Sequence, residues 1–274
     1  YAEYGFVAPA GSGFRAPGPD TLWTASSTSA LTPRSPLSLS YDNGAGLTFK
    51  RSISIDADYM FTIKDTIENK TTNPANLVPY ALVARHGEPQ YVANWILHEG
   101  LVGILADGQL KEYTYSELKP DSDGNQSFEG TAGWLGITDK YWAAVLVPDQ
   151  SAAYKANFKR FEDPAVSYQA DYTLAPVTVA PGGTYALEQH LFAGAKTVGL
   201  IDDYKARLSI PRFEYLIDWG WFFFITKPLF YAIDWLYKFL GNFGLAILVV
   251  TVFVKALFFP LANKSYASMS QMKK

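Results

Sequence analysis

The sequence predicts a mainly β protein: a large antiparallel β-sandwich, then an interfacial amphipathic helix and one transmembrane α-helix. Three patterns predict it. Two long stretches alternate apolar and polar residues with a period of two, Ile53 to Lys64 and Val166 to Leu174. No helix-period run of useful length precedes Thr197. Gly244 to Leu261 is apolar apart from one charge, Lys255. With Ala262 that run spans roughly 27 Å as a helix, close to the ~30 Å hydrocarbon core of a bilayer.

Composition narrows the function classes. The 274 residues are 49% apolar and 16% aromatic, with a formal net charge of -3. That balance gives no basic field for nucleic acid, and no recognition motif for it is present. The chain has no cysteine, which excludes disulfides, thiolate nucleophiles and cysteine metal sites. Tyr1 is not an initiator methionine and no signal-peptide pattern follows, so the sequence reads as a piece of a longer protein.

Pro, Gly, Ser and Thr dominate Ala8 to Pro36, which predicts extended segments and loops. Leu37 to Tyr41 and Leu47 to Phe49 alternate around Asp42-Asn43-Gly44, a hairpin signal. In the next stretch, Ile53, Ile55, Ala57, Tyr59, Phe61 and Ile63 take the odd positions of one expected strand, broken only by Met60. Asp107-Gly108, Asp123-Gly124 and Gly130 to Gly133 punctuate the middle at hairpin-like intervals. Pro181-Gly182-Gly183 turns the chain into Tyr185 to Phe192. Val198, Ile201, Tyr204 and Leu208 share a helical face, so 197–208 is expected to be a helix closing a β domain of residues 1–209, ended by Pro211.

Nothing in that domain reads as catalytic. The three histidines, His86, His98 and His190, lie far apart and outside any metal-binding pattern, and Gly11-Ser12-Gly13 is too short for a nucleophile elbow. His98-Glu99 would point to opposite faces of a strand. No catalytic residue, metal ligand or cofactor is therefore assigned. Asn69-Lys70-Thr71 and Asn125-Gln126-Ser127 match the glycosylation sequon, and surface-loop polarity explains them more simply.

From 210 to 243 the composition turns aromatic, as at membrane interfaces. On a helix starting near Pro228, Lys227, Tyr231, Asp234 and Lys238 fall on one stripe, with Asp234 and Lys238 spaced for an ion pair, Trp235 among the apolar remainder and Gly241-Asn242 placed to end it. Phe230, Ile233, Leu236 and Leu240 would face acyl chains or neighbouring helices. An amphipathic core helix has the same signature. The span is expected at 244–262, with 263–274 opening a loop. Asn263, Lys264, Lys273 and Lys274 follow the span with no acidic residue, which marks the cytoplasmic side and leaves the β domain outside. A charge within a span costs about 2.5–3.5 kcal/mol on insertion scales. Lys255, with Thr251 one turn before it, either lines a polar path or snorkels toward water.

Asp218-Trp219-Gly220-Trp221, Lys227-Pro228-Leu229-Phe230, Gly241-Asn242-Phe243-Gly244, Lys255 with Phe259-Pro260-Leu261, Tyr266 to Met269 and Gln271-Met272-Lys273 follow one another in an order and spacing that resemble the bacterial YidC family of membrane protein insertases. Gly133-Trp134-Leu135-Gly136, Tyr141-Trp142-Ala143 and Phe192-Ala193-Gly194 fit the periplasmic domain of the same family. The resemblance implies a periplasmic β-supersandwich, a bacterial inner-membrane location, and five core helices around a hydrophilic groove, of which only the first lies in this chain. It implies a basic groove residue, usually arginine, at the position of Lys255, where lysine supplies a point charge instead of a planar fork. It also implies nascent membrane proteins and the bilayer as partners, and it permits the secretion translocon and the ribosome. The rival reading is a membrane-tethered carbohydrate-binding or mutarotase-like domain, which would need a sandwich cleft that gathers His or Glu side chains.

Overall fold

The computed structural model describes residues 1–272 except 88, 90–96 and 119–124, with side chains up to 264. Two compact units divide the chain, Tyr1–Asp218 and Trp219–Lys274. The first carries β1 Ala2–Val7, β2 Thr24–Ala25, β3 Leu37–Asp42, β4 Leu47–Ile55, β5 Met60–Asn69, β6 Ala75–His86, β7 Gly100–Leu105, β8 Gln109–Thr114, β9 Gln126–Thr131, β10 Trp134–Thr138, β11 Trp142–Val147, β12 Ala153–Phe161, β13 Ser167–Leu174, β14 Val177–Val179, β15 Thr184–Ala195 and helix α1 Val198–Arg207. A six-stranded sheet runs β1-β6-β13-β12-β9 with β14 on β6, and a nine-stranded sheet runs β2-β3-β4-β5-β15-β11-β10-β7-β8.

Every second side chain of β13 (Tyr168, Ala170, Tyr172, Leu174) is buried between the sheets, with Phe49, Ile67, Leu77 and Phe158. The nine-stranded sheet also buries part of its other face. There Met60, Val102, Ile104, Trp134, Val145 and Phe192 meet Ile201 and Tyr204 of α1 and Phe213 of a 3-10 turn, Phe213–Leu216. Burial on both faces is why β7 and β10 read as apolar runs without alternation. Trp134 fixes this layer, donating its indole N–H to the Pro211 carbonyl at 3.1 Å and packing edge-on against Phe213. The first unit thus extends through this turn, past Ser209.

The Asp42-Asn43-Gly44 hairpin forms between β3 and β4. Asp42 accepts the Gly44 N–H, and Asn43 accepts those of Ala45 and Leu47. The stretch from Ile53 to Lys64 is not one strand. β4 ends at Ile55, and the chain reverses so that Ile55 pairs with Phe61. Asp56 makes this turn by accepting the N–H groups of Asp58 and Met60 at 3.0 and 2.9 Å, while Tyr59 takes φ +68°. Met60, the residue that broke the alternation, opens β5 and is buried on the α1 side.

Asp107-Gly108 joins β7 to β8 as a hairpin. Gly130 to Gly133 does not make one: β9 and β10 belong to different sheets, so this turn carries the chain across the sandwich. Gly133 sits at φ +131°, where a Cβ would lie 2.2 Å from the Ile104 oxygen, and a Cβ on Gly136 would lie 2.1 Å from the Ala144 oxygen. Both positions exclude a side chain by close backbone approach. Asp123-Gly124 lies outside the described residues. Within the segment expected to be loops, β2 is a short strand; β1, ahead of it, had no alternation signal.

Candidate functional site

The second unit holds helices α2, Phe223–Leu240, and α3, Phe243–Met272. Two residues separate them. Gly241 takes φ +67° and closes α2, its N–H donating to Tyr237 O at 2.8 Å, while Asn242 caps α3 by accepting the Leu245 N–H at 3.1 Å. Phe243–Lys264, 22 residues, is long and apolar enough to cross a bilayer at about 33 Å. The helix continues past Ala262 to Met272 instead of giving way to a loop, since 263–272 holds neither glycine nor proline. Pro260 within it removes the N–H that would reach the Ala256 carbonyl.

Helices α2 and α3 pack against each other. On α3, Ala246 and Val250 are buried and Val254 is half-buried, a row at four-residue spacing. Thr251 and Lys255 form the next row round the helix, and both are exposed. The Thr251 hydroxyl donates to Ile247 O at 2.7 Å. Lys255 has no ion-pair partner among the described residues.

Helix α2 starts at Phe223, one turn before the expected start at Pro228. The Phe222 carbonyl accepts the N–H groups of Ile225 and Thr226, and the Thr226 hydroxyl donates to Trp219 O at 2.7 Å. Trp219 in turn lies against Phe230 and Tyr231, with Lys227 Nζ 5.8 Å from its ring. These contacts extend the helix backward, leaving Pro228 inside its second turn. Asp234 and Lys238 pair at 2.6 Å, and Trp235 stacks on Phe239 at 6.1 Å with the rings 5° apart. The Trp219 clasp and the Asn242 cap were not read from the sequence, although Asn242 before an apolar run is a cap signal.

The histidines do not meet. His190 Nδ1 lies 3.1 Å from Thr62 Oγ1, the His98 ring lies 3.1 Å from Leu101 O just before β7, and the His86 ring sits beside Tyr1. Glu99 accepts the Lys140 N–H. His86 lines a cleft of about 390 Å³ with Arg85, Asp139 and Trp142, where the Asp139 carboxylate is taken by Arg85 and by the Tyr115 hydroxyl. Among the described residues, the Asp139 carboxylate of this cleft is thus already paired. No group of three or more His, Asp or Glu among the described residues is placed to hold a metal. Asn69 is buried: its amide donates to Asn73 O and Val179 O and its oxygen accepts from Thr71, so the first sequon is a structural knot.

Comparison with known proteins covers the whole chain. Residues 1–232 match the family model of the YidC periplasmic domain, and residues 235–274 match that of the 60Kd inner membrane protein. The chain is 50% identical over 273 residues to a membrane protein insertase YidC from Beijerinckia indica and 50% identical over 283 residues to one from Nitrobacter hamburgensis. It aligns over all of its own length but spans only 45% and 46% of these relatives. Among solved structures, a galactose mutarotase-like protein from Lactobacillus casei has a TM-score of 0.41 at 8% identity, over 62% of this chain and 72% of that one, too slight a likeness to transfer any chemistry. Two family models that between them cover nearly every residue, together with relatives at half identity along the full chain, carry the assignment: this chain belongs to the YidC family of membrane protein insertases.

Proposed function

We propose that the chain acts in a membrane protein insertase that lowers the cost of bringing polar segments of a nascent membrane protein into the bilayer, with no covalent chemistry. The observation that carries this is Lys255: an exposed cation, unpaired among the described residues, inside a segment apolar enough to span. A charge there costs about 2.5–3.5 kcal/mol unless polar surroundings offset it. A hydrophilic groove, entered by acidic or polar parts of the client, supplies them. Thr251 borders the same row. The Lys227, Pro228, Asp234, Trp235 and Lys238 helix rests in the interface, with the β unit periplasmic and the basic end of α3 cytoplasmic. The secretion translocon and the ribosome are partners in this reading, the β unit being the docking surface for the former.

A photo-crosslinking residue at Thr251 in the full-length protein, supplied with ribosome-bound nascent membrane protein, tests the placement. Adducts with the nascent chain at Thr251, absent at Val249 on another side of α3, are expected. Adducts with lipid alone at both positions would overturn it.

A further inference from the structure

Helix α2 carries more apolar surface than a two-sided amphipathic helix. Ile233 and Leu236 are half-buried on one side, the helix being packed on α3. Lys227, Asp234 and Lys238 form the charged stripe. Helical periodicity then gathers Phe224, Trp235 and Phe239 on a third side, beyond that stripe. These three are 62%, 66% and 77% exposed, and Trp221, just ahead of the helix, is 95% exposed.

This exposure is built, not loose. Gly220 turns at φ +70°, the Thr226 hydroxyl holds the Trp219 carbonyl, and the Trp219 ring is clasped by Phe230, Tyr231 and Lys227, which fixes the turn that presents Trp221. Trp235 and Phe239 stack nearly parallel and so form one flat ridge.

We propose that this ridge, Phe224, Trp235 and Phe239 with Trp221, is the surface by which α2 enters the headgroup–acyl boundary of the bilayer, in place of the Ile233–Leu236 side. The occupant is lipid for two reasons: α2 is joined by two residues to a helix fit to span, and the ridge pairs aromatic rings with an adjoining charged stripe, the arrangement that sits half in water and half in hydrocarbon. The inference rests on the reading of α3 as a span.

The experiment uses the full-length protein, reconstituted in phosphatidylcholine–phosphatidylglycerol vesicles. Single nitroxide labels at Trp221, Phe239, Ile233, Lys238 and Val252 are probed by collision with oxygen and with a water-soluble nickel chelate. The oxygen-to-nickel ratio is expected to rise from Lys238 to Trp221 and Phe239, and again to Val252, while Ile233 is shielded from both reagents. Nickel access at Trp221 and Phe239 equal to Lys238 would overturn the proposal, as would shielding of both from both reagents, which would mean a protein partner covers the ridge. Nickel access at Val252 would instead show that α3 does not span, and the proposal would fall with that reading.

Discussion

Arg51 and Asp65 face each other directly across β4 and β5 and close a two-pronged ion pair, Nε to Oδ1 at 2.7 Å and Nη2 to Oδ2 at 3.0 Å. Arg51 also donates to the Tyr4 carbonyl at 2.7 Å, tying the edge of one sheet to the middle of the other. Burial raises the Asp65 carboxyl above its ordinary range, against the pull of Arg51. Removing one partner strands a buried charge. Asp65→Ala is expected to destabilise the β unit by about 3–5 kcal/mol, and Arg51→Leu with Asp65→Leu by less than that single change. Urea melts of the three proteins check this.

Asp56 joins the β4–β5 turn to α1. Burial disfavours its charge, but the Met60 N–H, the Tyr204 hydroxyl, Arg207 and the Asp58 N–H together hold its pKa below the ordinary aspartate value. A depressed carboxyl stabilises the fold above the unfolded pKa, near 3.9, and that contribution is lost as pH falls through the folded value. Asp56→Ala should cost about 1–3 kcal/mol at neutral pH and less in acid, read from denaturation midpoints across that range.

His190 gives the opposite class of titration. Burial lowers its pKa, with Glu188 opposing and Lys64 and Arg207 adding to the shift. The unfolded chain then binds a proton that the folded one refuses, so stability falls as pH drops through the unfolded value near 6.5. His190→Gln should flatten this part of the pH profile of the urea midpoint between pH 7.5 and 5.5.

The Asn69 side chain makes four hydrogen bonds from a buried site at the end of β5, beside residues 70–74 that lead to β6. Asn69→Ala orphans the two carbonyls and Thr71, and should cost about 1–3 kcal/mol. Thermal melting shows it as a lower midpoint, whereas a purely surface asparagine would leave the midpoint unchanged.

Where one face is buried and the other wet, the strands were legible: β13 and the β3–β4 hairpin follow their alternation and turn residues. Alternation failed at Asp56 to Tyr59, because a turn built by an aspartate cap and a left-handed tyrosine preserves the period and carries no glycine or proline. The crossing at Gly130 to Gly133 uses the same residue types as a hairpin, and only long-range pairing tells them apart. On the helical side, the apolar run with its lone charge, Lys255, falls within the helix that is long and apolar enough to span. The Trp219 clasp was not legible, since it depends on rings brought together across a bend.

The role proposed for the Lys255 charge is to serve the passage of client segments, and the decisive measurement is insertion of a client with an acidic translocated segment by Lys255 variants of the full-length protein. Lys255→Arg should retain insertion, Lys255→Ala should impair it, and Lys255→Glu should impair it further by like-charge repulsion. If Lys255→Ala and Lys255→Glu fold, reach the membrane and insert that client at the parental rate, the side chain only snorkels to water and the claim is wrong.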